Sequence, residues 1–271
     1  MHGNPTSGAP SGEFAEAQHS LQLAIETTSR TGSVALFSKE LVLRRVSLDP
    51  GLRTAASLAP AIAEIIQWCS DHPSLESNRL GFISVADGPG SFTGLRIGVT
   101  TAKTLAYALK IPLVSVDSLA AIAACRMAQH PSVDQVLAAI DAFRGEIFQG
   151  KFCRSQLLPP LEDLKIDKHW SADRDSTQVQ SIKSFQKDLP LLAETYAFAG
   201  DAKAFGDHAQ RRLESDCDAV GVGMLGLRAA IQGRLVDPMQ LVPRYLKRSA
   251  AEEKAAESIL PTPSSSSSSS P

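Results

Sequence analysis

The sequence contains no pair of cysteines at redox or metal-ligand spacing: Cys69, Cys125, Cys153 and Cys217 are scattered, without a CxxC among them. That excludes a disulfide framework and a zinc site of the usual spacing, and leaves the reduced thiols of an intracellular protein. The six histidines form neither HxxxH nor HExxH, so no two imidazoles share a helical face and no metal site of that kind is expected. There is no GxSxG elbow, no serine or cysteine has a histidine at a telling position, and no Gly-Lys-Ser/Thr follows a glycine-rich turn. Triad hydrolysis and a Walker-type phosphate loop are therefore not expected. Charge of one sign is lacking too, with 27 Lys and Arg against 29 Asp and Glu. No strong positive field is available to hold a nucleic-acid backbone unaided, so another protein must supply most of any grip on RNA. Long apolar runs are missing, and Met1 to Ser20 has no basic segment leading into an apolar one. Neither secretion nor a membrane crossing is expected, and the location implied is cytoplasmic.

What is present is alternation. Leu23, Ala24 and Ile25 read as a strand, followed by a polar turn from Glu26 to Gly32 and an alternating strand through Val34 and Leu36: a hairpin with an acid at its tip. Leu58, Ile62, Ile65, Ile66 and Cys69 fall at helical spacing between Thr54 and Cys69, with Pro60 early enough to kink the helix without abolishing it. A strand over 80–86 enters the turn 87–94 and then a helix to Leu109, N-capped by Ser91 or Thr93. A strand over 113–116 leads to a helix over 119–129. Val136 to Phe152 then repeats the opening, with Asp141 where the first hairpin has Glu26. Strands over 196–200 and a helix over 221–232 follow. This pattern predicts the α/β class, a largely parallel sheet covered by helices, and two tandem related lobes. The lobes are expected over 21–133 and 134–246. Residues 1–20, rich in Gly, Pro, Ser and Ala, and residues 247–271, with the serine run 264–270, are expected to be disordered.

Two acid-tipped hairpins suit a nucleotide clamp, in which turn amides and hydroxyls approach phosphates while the acids hold hydrated magnesium or orient water. Glu26, Thr27, Thr28, Ser29, Asp141 and Arg144 are the residues concerned, and a purely structural pair of hairpins is the competing reading. The turn with Gly88, Gly90, Ser91, Gly94 and Gly98 allows either anion binding at a helix N-terminus or close packing of that helix, and both stay open. Gly94, Gly98, Thr101, Ala102 and Ala106 make part of the following helix, which also carries Leu95, nearly flat. With Leu58, Ile62, Ile65 and Ile66 they form a candidate partner interface, burial within the chain's own fold being the alternative.

Four segments carry a resemblance: LAIETTSRTGSVALF, DGPGSFTGLRIGVTTAKTLA, SVDSLAAIA and LAAIDAFRGEIF, in that order. They resemble the bacterial TsaB (YeaZ) proteins, subunits of tRNA threonylcarbamoyladenosine synthesis related to TsaD and glycoprotease-like proteins. The similarity is strong over 21–152 and extends weakly to Pro243-Arg244-Tyr245-Leu246, which looks like the family's closing strand. The resemblance implies an actin-like ATPase (ASKHA, ribonuclease H-like) fold and a scaffold or activator that heterodimerises with TsaD. TsaD carries the metal and transfers the threonylcarbamoyl group from its adenylate to the adenosine 3′ of the anticodon. The ATPase TsaE is the third member, and tRNA is engaged through the complex. No cofactor is implied on this chain, with ATP or ADP and magnesium at the level of the complex. The missing histidine pair argues against protease activity. Glu26 stands where an aspartate is usual, and the segment Leu52-Arg53-Thr54-Ala55-Ala56 lacks the polar start common in the family. An independent actin-fold phosphotransferase and a homodimeric binding module are the competing functions.

Overall fold

Leu21–Glu26 (β1) is buried along its whole length, which an alternating strand tolerates only when both faces are covered. Leu21, Leu23 and Ile25 join one apolar cluster and Ala24 joins another, so the period of two divides the strand between two cores. β2 (Ser33–Ser38) and β3 (Leu41–Ser47) add antiparallel strands on one side, and β4 (Leu80–Gly88) and β5 (Leu113–Asp117) add parallel ones on the other. The resulting order is β3-β2-β1-β4-β5. α1 (Thr54–Asp71) and α2 (Phe92–Leu109) cover one face through Leu58, Ala61, Ile62, Ile65, Val99, Ala102 and Ala106.

The second sheet repeats the first. β6 (Gln135–Asp141) pairs antiparallel with β7 (Glu146–Cys153), which pairs antiparallel with β8 (Gln178–Ser181). On the other side β9 (Ala197–Gly200) and β10 (Arg212–Leu213) run parallel, giving the order β10-β9-β6-β7-β8. Counted from its own first strand, this is the same order and the same set of directions. In this computed structural model, residues 20–72, 79–166, 177–213 and 217–247 are described, so the serine-rich end and most of both terminal segments named above lie outside the described residues.

Two helices fill the space between the sheets. α3 (Ser118–Gln129) is N-capped by Asp117, whose carboxylate accepts from the Ala120 amide at 2.8 Å, and packs mainly on β6, β7 and β9. After the short α4 (Arg154–Leu157), α5 (Ile182–Leu192) and α6 (Ala202–Phe205) line the outer face of the second sheet. α7 (Ala219–Ile231), capped by Asp218, returns to the first sheet and lies on β1, β2, β4 and β5. Two tandem sheets of this order sharing a helical layer make the actin-like α/β fold.

Several expectations are corrected here. The sheets are mixed, because each begins with antiparallel hairpins. β3 and α5 carry no element in the sequence reading, although Ile182, Phe185 and Leu189 do fall at helical spacing after the Ser181 cap. Ser91, not Thr93, caps α2, its hydroxyl accepting from the Gly94 amide at 3.2 Å. Residues 243–246 form no strand; they are an extended strap, whose Arg244 amide donates to the Asp87 carbonyl at 2.8 Å.

α7 can approach both the sheet and α3 because it presents glycine. A Cβ on Gly221 would lie 2.2 Å from the Ala121 carbonyl oxygen, and one on Gly226 would lie 2.5 Å from the Ser84 Cβ. Alanine gains about 1 kcal/mol of helix propensity over glycine, while overpacking against immovable backbone costs about 2–3 kcal/mol. Gly221→Ala is therefore expected to destabilise the protein by about 1–2 kcal/mol, seen as a lower urea midpoint at unchanged slope; an unchanged or raised midpoint would show that the helices have room to part.

Candidate functional site

The first hairpin turn is satisfied from within. Glu26, the last residue of β1, is fully buried, and its Oε1 accepts from the Thr28 amide, from the Thr28 hydroxyl at 2.6 Å and from the Ser29 amide at 2.9 Å. Its Oε2 lies 2.6 Å from the Ser29 hydroxyl, which is 3.0 Å from the Thr31 carbonyl. These are the amides and hydroxyls that a clamp would offer to phosphate. Thr27 donates to the Gly94 carbonyl at 2.8 Å, and the Ser91 amide donates to the Thr28 carbonyl at 2.9 Å, so the start of α2 is sewn to the turn. Cβ atoms on Gly94 and Gly98 would meet the Thr27 carbonyl oxygen at 1.8 Å and its hydroxyl at 2.1 Å. The alternative left open by the sequence resolves, for these two glycines, as close packing. Gly90 lies against Thr28 in the same way, and Gly88 lies against the Arg244 carbonyl.

The second hairpin places Asp141 at the end of β6, the position equivalent to Glu26. Its carboxylate accepts from the Phe143 amide at 2.9 Å and from Lys203 at 2.6 Å, and its own amide donates to Asp201 at 2.7 Å. Arg144 lies in the turn, where Phe143, Arg144 and Gly145 are all left-handed. Among the described residues, no three His, Cys, Asp or Glu side chains gather in a way that would hold a metal ion. Nor is any described helix long and apolar enough to cross a membrane. The cysteines are free, and burial pushes the thiols of Cys69, Cys125 and Cys217 up, which keeps them protonated and weakly nucleophilic.

The expected partner face turns out to point inward. Leu58, Ile62, Ile65, Leu95, Gly98, Ala102 and Ala106 are buried, as is Gly94, because they cover the outer face of the first sheet or meet the hairpin turn. Of the named interface residues only Ile66 is open, at 44% exposure. What these helices show to solvent includes small residues, Ala55, Ala56, Ala59 and Ala63 on α1 and Thr100, Thr104 and Ala108 on α2, together with larger and charged ones such as Glu64, Ile66 and Gln67 on α1 and Phe92, Arg96, Tyr107 and Leu109 on α2. The two helices contact one another over the first sheet. At their far end a cavity of about 380 Å³ is lined by Ile65, Ile66, Cys69, Leu80, Leu109 and Ile111. A helical period shows which residues share a face, not which side of the helix the rest of the chain occupies.

Burial pushes the Glu26 carboxyl up to about 7 from an ordinary 4.5, against the lowering effect of its Ser29 and Thr28 hydrogen bonds. The neutral form also suits the geometry. A protonated Oε2 donates to the Ser29 hydroxyl, which then donates to Thr31, whereas beside a carboxylate that single hydroxyl proton must choose. For an acid raised on folding, the ionised state is the one folding disfavours. The penalty is nil below about 4.5, grows with pH and is complete above about 7. Relative to Glu26→Gln, whose amide can donate to Ser29 as the acid does, the wild type is expected to lose about 3 kcal/mol between about pH 5 and about pH 8. Paired denaturation curves test this, and a difference independent of pH would show Glu26 to be ionised throughout.

Comparison with known proteins agrees with this architecture. A family model described as TsaD, tRNA N6-adenosine threonylcarbamoyltransferase, matches residues 53–159. The tRNA threonylcarbamoyladenosine biosynthesis protein TsaB of Bacillus subtilis is 37% identical over 250 residues, spanning 87% of this chain and 98% of that protein. TsaB of Haemophilus influenzae is 25% identical over 236 residues, spanning 86% and 95%. In solved structures, YeaZ from Pseudomonas aeruginosa superposes with a TM-score of 0.62 at 24% identity, over 84% of this chain and all of that one, and so shares the fold. With more than a third of its residues shared along nearly the full length of the Bacillus protein, the chain belongs to the TsaB (YeaZ) family.

Proposed function

We propose that this chain serves the synthesis of threonylcarbamoyladenosine in tRNA as a non-catalytic subunit that binds and activates a TsaD-type transferase, with TsaE and tRNA engaged through the complex. Family membership supports the pathway. The observation that carries the non-catalytic role is the state of the first hairpin. Its phosphate-facing donors are held by Glu26 of the same chain, and its turn is sealed by α2. A nucleotide would have to displace a buried carboxyl to reach them. ATP or ADP and magnesium therefore belong to the assembled complex.

The docking surface in this reading is the outer face of α1 and α2. Small side chains at Ala55, Ala59, Ala63, Thr100 and Thr104 let a partner's helices come close, and Ile66 and Tyr107 supply apolar contact at one end. Because these residues are exposed, they can be changed without disturbing the core. Ala63→Arg and Thr104→Arg are each expected to weaken co-purification with TsaD on the order of a hundredfold while leaving thermal unfolding unchanged. Ile62→Glu, being buried, would instead unfold the chain. Cells depleted of the protein are expected to lose threonylcarbamoyladenosine from tRNA, restored by the wild type and not by Ala63→Arg. Undiminished binding by both variants would place the interface elsewhere. Modification of tRNA by the purified chain alone, or turnover of ATP by it, would favour an independent enzyme of the same fold.

A further inference from the structure

Residues 241–247 run across both lobes with a period of three. Leu241 is buried, and Arg244 and Lys247 turn inward after it, with side chains 12% and 19% exposed, while Val242 and Tyr245 face outward. One residue in three on a face is the spacing of an extended, polyproline-like segment, which makes no internal hydrogen bonds and must find them elsewhere. It finds them at α2 and at strand ends in both sheets. Lys103 of α2 donates to the Leu241 carbonyl at 2.7 Å, and the Tyr245 ring stacks on Phe92 at 4.6 Å between centroids. Arg244 donates to the Gly88 carbonyl at 2.8 Å and forms an ion pair with Asp117, whose carboxylate also accepts from Thr177 at 3.0 Å. Three residues on, Lys247 reaches the second hairpin, donating to the Ala142 carbonyl at 3.1 Å and pairing with Glu146 at 2.5 Å.

We propose that residues 241–247 are an internal latch, which ties the Gly88–Ser91 turn of the first lobe to the β6–β7 hairpin of the second and fixes the angle between lobes without a bridging ligand. The helical layer joins the lobes by apolar packing, whereas the latch adds a polar attachment at the strand ends. There Arg244 and Lys247 hold one carbonyl and one carboxylate on each side. Its failure is distinguishable from that of the functional reading, since it concerns the isolated chain and requires no partner.

Hydrogen exchange on the full-length protein tests it. In Lys247→Met, amides of residues 142–147 and also of residues 88–94 are expected to exchange about tenfold faster, although Lys247 touches only the former. Lys247→Arg, which keeps the charge and reach, is expected to stay near the wild type in both. Acceleration confined to residues 142–147 and the strap itself, with 88–94 unchanged, would overturn the latch and leave a local hairpin contact. An unchanged profile in both segments would overturn it as well.

Discussion

The structure rests on an exchange of helices between its two sheets. α3 follows the first sheet in the chain but packs mainly on the second, and α7 follows the second sheet but closes the first. The shared cluster accordingly draws Ala24, Phe37 and Phe82 from one sheet, Val136, Phe148 and Ala199 from the other, and Leu119, Ile122, Val222 and Leu227 from the helices between. Neither sheet can bury its inner face with helices supplied by its own stretch of sequence. The halves are duplicates in topology, yet they share one apolar cluster, and small residues at Gly221, Gly223 and Gly226 are what permit α7 to lie close to its neighbours.

This arrangement determines where variation is tolerated. The inner faces are committed to the shared layer and the outer face of the second sheet to α5 and α6. The outer face of the first sheet is committed to α1 and α2. At the first hairpin, the contacts that a ligand would use are absorbed into the chain's own packing. The Thr27 carbonyl lies where any side chain at Gly94 would have to be, so the hairpin and the helix behind it move together or not at all.

Much of this was legible in the sequence. The repetition of an acid-tipped hairpin announced the duplication, and the apolar runs Leu23–Ile25 and Val136–Ile140 announced strands. The alternation of strands and helices announced the class. The site was less legible for two physical reasons. Four glycines in eleven residues look the same whether an anion or a neighbouring backbone approaches them; the Thr27 contacts decide, and they join residues 67 apart. Likewise Ile62 and Ala102 share apolar faces whether that face meets a partner or the chain's own β-sheet. The strap was expected, by resemblance, as a closing strand, because an inward residue at every third position matches neither strand nor helix periodicity.

The two hairpins were resolved in opposite ways, and the difference follows from their chemistry. The first turn gathers donors, the amides of Thr28 and Ser29 with the Thr28 hydroxyl, and the partner it has acquired for them is an acceptor, Glu26 Oε1. The second presents acceptors to the strap, the Ala142 carbonyl and the Glu146 carboxylate, and the partner it has acquired is a cation, Lys247. A phosphate with its metal would answer both demands at once, an anion for the donors and a cation for the acceptors. Here the same two demands are met separately by side chains of one chain, one buried within the turn and one carried in by the strap. Such a substitution needs no ligand, so the contacts at both turns belong to the chain itself.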